Sequence, residues 1–195
     1  LDTLLLHRPD ALCEPSEVAQ AFDELYKSGK VRNFGVSNQN PYQIMLLQKY
    51  ISQPIIINQL QFSIMSSGMI DSGFNVNMTN PESVSHDGNI LDFCRLKDIT
   101  IQAWSPFQYG FFEGVFIDNP KFPELNKTLD EIAKKYEVSS SAIALAWILR
   151  HPSDMQVVTG TTNIDRLTDI CKGADIKLTR EEWYRIYLSS GKKLP

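Results

Sequence analysis

Five apolar runs in this 195-residue chain end in residues that can do chemistry. Thr3–Leu6 ends at His7, Val31–Ser37 at the Ser37-Asn38 pair and Ile55–Gln59 at Asn58-Gln59. Ile99–Trp104 ends at Trp104-Ser105, and Gln156–Val158 at Thr159 to Asn163, with Arg166 close behind. An imidazole fixed at a strand end can stabilise a group that gains negative charge during reaction, and can steer its substrate. Asn38 and Gln59 offer donors and acceptors together, as a bound amide requires. Trp104 presents a flat apolar ring. Arg166 stands in the first turn of a helix-like segment, whose N-terminus itself favours anions. Each of these residues also has a plainer use. A strand-end histidine can be satisfied by backbone, Ser-Asn opens turns, a tryptophan fills a core, and a helical arginine is usually solvated. His86, in a polar stretch, and His151, ahead of Pro152, read as structural or solvated.

Such residues need a scaffold that gathers strand ends. Helical spacing or capping residues mark Glu14–Ser28, a helix from the Asn40 cap to about Tyr50, Leu91–Lys97, Glu124–Tyr136, Ser139–Arg150 and Asp165–Cys171. Thr179 opens a last helix with Glu182 at the capping-box position. The Gly/Ser/Asn-rich stretch Ser66–Asn89 and the segment Phe107–Pro123 read as long loops. Continuously apolar strands alternating with helices imply a parallel sheet. Neither GxGxxG nor GxxxxGK[ST] follows a strand, which disfavours a doubly wound nucleotide-binding sheet. The alternative α/β fold is a (β/α)8 barrel, where chemistry sits at the C-terminal strand ends. Five units in 195 residues is about 39 each. Eight would need roughly 310, within the barrel range. The expectation is a single domain, residues 1–195, supplying about five strand–helix units.

Composition narrows the partners. The net charge of −4 and pI near 5.4 argue against a nucleic-acid partner, which requires a basic face. No apolar run approaches the roughly 20 residues that span a bilayer, so no membrane partner is expected. Cys13, Cys94 and Cys171 form no metal-like spacing and read as small buried thiols of a cytoplasmic protein; no metal is expected. The oligomeric state is not legible.

The segments LDTLLLHRPD, GKVRNFGVSN, INQLQFS, IQAWSP and VVTGTTNIDRL, in this order and at strand ends, make the chain similar to the aldo/keto reductase family. The final LTREEWYRI resembles the C-terminal helix of a bacterial branch of it. The resemblance implies an eight-stranded barrel that binds NADP(H) and reduces a small carbonyl substrate, an aldehyde or ketone, by hydride transfer. It implies that Thr3–Leu6 is the fourth strand, that His7 is catalytic, and that the family's Asp, Tyr and Lys precede this segment. Ser37, Asn38 and Gln59 would hold the nicotinamide carboxamide and Trp104 would stack on its ring. Ser105, Pro106 and Phe107 would lie along the pyrophosphate. Gly160, Thr161, Thr162, Asn163, Arg166 and Asp169 would bind the adenosine phosphate end. Gly160 stands where many members have Lys, and Ile170 where many have Asn. None of the seven tyrosines is assigned as proton donor. A non-catalytic nucleotide-binding subunit of the channel-β type, or an inactive fragment, are the competing readings.

Overall fold

Five short parallel strands and eight α-helices make up the computed structural model, which describes residues 1–195. The strands are β1 (Thr3–Leu6), β2 (Asn33–Ser37), β3 (Ile55–Gln61), β4 (Thr100–Trp104) and β5 (Gln156–Val157). They pair in chain order, all parallel. Parallel neighbours need long crossovers. Here these are α1 (Pro15–Lys27), α2 (Pro41–Gln48), α3 (Gly68–Phe74) with α4 (Ile90–Leu96), and α5 (Pro123–Tyr136) with α6 (Ser140–Leu149). α7 (Ile164–Cys171) and α8 (Arg180–Ser189) follow β5. This is the expected α/β series of five strand–helix units.

The two faces of the sheet differ. Phe34, Val36, Leu60, Ile101 and Ala103 are buried against the helices, and the Phe34 ring stacks on Phe22 of α1 at 4.1 Å. The opposite face carries half-buried Gln59, Gln61, Thr100, Gln102 and Trp104. The strands crowd on that side at Gly35, where a Cβ would lie 2.4 Å from Leu5 Cδ2 and 2.7 Å from the Ile57 carbonyl. Coverage by helices on one face fits a sheet that curls rather than a doubly wound one.

Capping follows the sequence signals. Asn40 with Gln43 and Thr179 with Glu182 form reciprocal capping boxes. At the far end of the molecule, the rings of Trp147 (α6) and Trp183 (α8) stack at 4.8 Å, and each indole N–H donates to the other residue's carbonyl, at 3.1 and 3.0 Å. The turn Lys172–Asp175 presses on α6, since a Cβ on Gly173 would meet the Ala142 carbonyl oxygen.

Two expectations change. Ser66–Asn89 is not a plain loop. It holds α3 and a 3-10 turn at Pro81–Ser83, with Met69 and Ile70 buried and Asp71 accepting hydrogen bonds from Ser67 and Tyr187, both at 2.8 Å. Tertiary packing overrides a composition that disfavours helix. Of the three cysteines only Cys94 is buried; Cys13 lies in the turn after β1 and Cys171 on the outer side of α7. Burial pushes the Cys94 thiol up to about 12, which leaves it unreactive.

Candidate functional site

The C-terminal ends of β2, β3 and β4 are joined through side chains. Ser37 is 2% exposed and donates its O–H to the Gln59 carbonyl at 2.9 Å. The Asn38 amide donates to Ser37 Oγ at 2.7 Å and accepts from the Trp104 indole at 3.1 Å, 66 residues away in sequence. Asn38 and Ser105 both adopt left-handed backbone, with φ of 54° and 52°. Asn tolerates that region, whereas for Ser it is unusual, and such outliers gather at functional sites.

Along the open face of the sheet the side-chain bonds continue. Gln59 Nε2 donates to Gln102 Oε1 at 3.0 Å, and Gln102 Nε2 donates to Gln156 Oε1 at 2.9 Å. Register explains this row, because Gln59 pairs with Gln102 and Gln102 with Gln156. After these bonds Asn38 keeps one N–H and one lone pair, and Gln59 keeps one N–H and both lone pairs of Oε1. That donor and acceptor set fits an amide ligand. Ser37 is committed to Gln59, so it orients Asn38 rather than facing a ligand.

Beside Trp104 opens a cavity of about 760 Å³. Nine of the residues expected to bind a cofactor line it: Trp104, Ser105, Pro106, Phe107, Gly160, Thr161, Thr162, Asn163 and Arg166. Asn163 caps α7 by accepting from the Arg166 N–H at 2.9 Å, and Thr161 accepts from the Asn163 N–H at 3.2 Å. The Arg166 guanidinium is exposed and joins none of the ion pairs, so the cavity has a free cation at a helix N-terminus.

Not every expected residue lies there. Asp169 does not line the cavity and accepts from Lys172 at 3.3 Å. Hydrogen bonding from Ser139 and then Lys172 holds its carboxyl below the usual range against the opposing effect of burial. Ile170 lines the cavity with an apolar side chain. His7 is exposed at the end of edge strand β1 and borders a separate cleft with Leu6, Arg8 and Gln39.

Four places set a tyrosine near a lysine; Tyr50 with Lys49 and Tyr136 with Lys135 are chain neighbours whose side chains do not line the cavity, and neither of the other two suits a proton donor. Tyr109 donates to the Glu113 carbonyl at 2.6 Å, with Lys121 Nζ at 3.3 Å, but neither side chain lines the cavity. Tyr187 lies under Lys192 and donates to Asp71. Burial and then that bond push its phenol above the usual value, opposite to what general acid catalysis needs. Sequence reading missed Gln102 and Gln156. Their signal was a glutamine in each of two short, largely apolar strands.

Residues 1–188 match the Aldo/keto reductase family. The chain is 31% identical over its whole length to a 6-dehydroglucose reductase of Agrobacterium fabrum, of which it covers 59%. It is 33% identical over 95% of its length to the oxidoreductase YdhF of Escherichia coli, covering 56% of that protein. In structure it is similar to a thermostable aldo-keto reductase, Tm1743, with a TM-score of 0.73 over 97% of the chain and 60% of that protein, at 24% identity. The chain thus spans a little over half the length of these proteins, and its parallel arc is part of a (β/α)8 barrel.

Proposed function

The chain belongs to the aldo/keto reductase family, and from that premise we propose an NADP(H)-dependent oxidoreductase that reduces an aldehyde or ketone as the complete barrel. The observation that carries this is the junction of Trp104, Asn38 and Gln59 beside a cavity that ends in an unpaired arginine. Bound NADPH would supply the hydride. Asn38 and Gln59 hold the carboxamide through the donors and acceptors left to them. The Trp104 ring packs against the nicotinamide and fixes which face meets the substrate. Ser105 to Phe107 line the pyrophosphate, Gly160 to Asn163 shape the far end, and Arg166 pairs with the 2′-phosphate. His7 orients the carbonyl and stabilises the charge it gains. Asp169, tied to Lys172, is left out of this arrangement, and Ile170 offers adenine only apolar contact.

The test is a titration of the complete reading frame with NADPH and NADH, followed by tryptophan emission. NADPH should quench it, and Trp104→Phe should remove most of the quench while binding persists. Arg166→Ala should weaken NADPH by about 10- to 100-fold, the loss of a charge-assisted bond, and leave NADH nearly unchanged. Equal losses for both cofactors would make Arg166 structural and end the 2′-phosphate assignment. Gly160 contributes no charge, so the preference should be modest.

A further inference from the structure

One cation at the reactive end of the sheet has no role so far. Arg8 follows His7 at the end of β1, and its Cζ lies 5.7 Å from the centroid of the Trp104 ring and 5.9 Å from that of Phe111. The two rings meet edge-on at 6.3 Å and 80°. The guanidinium is thus bracketed by aromatic rings from the end of β4 and the loop after it. It joins no ion pair: the cations so engaged are Lys27, Arg32, Lys135, Lys172, Arg185 and Lys192. The nearest acid in sequence, Asp10, accepts from the Leu12 N–H instead. Phe111 and its neighbour Phe112 are 61% and 75% exposed, an unusual display of apolar surface beside a charge.

We infer that Arg8 selects carbonyl substrates that carry a carboxylate on an apolar body. This rests on reading the site as that of a carbonyl reductase. A guanidinium held near aromatic rings by cation–π attraction spends no N–H group on them, so its N–H edge stays free for a second partner. A carboxylate meets that edge with two parallel hydrogen bonds, which no neutral oxygen group can match. Arg8 adjoins His7 in the chain and touches Trp104, so a substrate oriented by one and packed near the other has its remaining groups within reach of the charge. Phe111 and Phe112 supply an apolar wall for the body between carbonyl and carboxylate.

The experiment compares 4-carboxybenzaldehyde with the methyl ester of the same aldehyde, using the complete reading frame and NADPH. The wild type should prefer the acid in kcat/KM. Arg8→Gln should lower the acid-to-ester ratio by about 10- to 100-fold, chiefly through KM for the acid. Arg8→Lys should restore only part of it, since an ammonium cannot pair bidentately. A ratio unchanged in Arg8→Gln, or a wild type that prefers the ester, overturns the role of Arg8 while leaving carbonyl reduction standing. A protein that binds NADPH but reduces neither aldehyde overturns both.

Discussion

At the scale of single residues, identity and neighbourhood separate. His151 lies at the end of α6, half-buried, with Nδ1 at 2.8 Å from Ser153 Oγ. Burial, then the nearby Arg95, lowers its pKa to about 4, against a smaller opposing effect of Asp92. The unfolded chain would take up a proton near 6.5, so between about 6.5 and 4 it binds protons that the folded chain refuses. Stability contributed by keeping this ring neutral is complete above 6.5 and declines as pH falls through that window. His151→Gln should therefore show a smaller drop in urea midpoint from pH 7 to pH 5 than the wild type; an equal drop in both would show that other groups set the acid response. This histidine was legible from sequence only as structural or solvated. Asn38, Gln59 and Trp104 were legible as a group because their types at strand ends already limit what they can bind. Arg8 was not, because its significance comes from rings about a hundred positions downstream that only the fold brings to it. Asp169 stands apart from that group for the converse reason: an acid at a suitable position bonds Lys172, three residues on.

At the scale of elements, ends were more legible than middles. Thr179 with Glu182 and the Asn40 cap announced their helices, because capping depends on a few residues close in sequence. α3 was hidden, because Met69, Ile70 and the partners of Asp71 stabilise it from outside the segment. The contact between the Lys172–Asp175 turn and α6 was equally hidden, and it tests how tightly the layers fit. Gly173→Ala should destabilise the fold by about 1–3 kcal/mol, the usual range for overpacking, because the obstacle is the Ala142 backbone oxygen and not a movable side chain. Thr179→Ala should cost about 1 kcal/mol, a lost cap. Thermal melts rank the two; a Gly173→Ala protein as stable as wild type would mean that the turn can lift away from α6 at no cost.

At the scale of the whole molecule, the strand order leaves β1 and β5 as the outer strands of the arc. Each presents unpaired backbone groups, and β5 offers only two residues. The 195-residue chain on its own should associate as concentration rises, seen as a rising average mass in sedimentation; a monomer at all concentrations would show that these edges are protected. The order of strands and helices was legible along nearly the whole chain, since periodicity is a local property. Register was not, because it pairs residues 43 and 54 positions apart, and with it went the row of glutamines across the open face. That row has a direction. Every amide hands its hydrogen toward β5, so the β3 end shows a bare oxygen and the β5 end a bare NH2 group. One member cannot turn around by itself without setting oxygen against oxygen or nitrogen against nitrogen. The three behave as a single polar switch with two settings. A visitor that gives a hydrogen to the Gln59 oxygen finds the row already set for it, whereas one that takes a hydrogen there must use the single N–H that Gln59 keeps or reverse all three at once. The interior of the arc thus carries a sign preference that no one of its residues has alone.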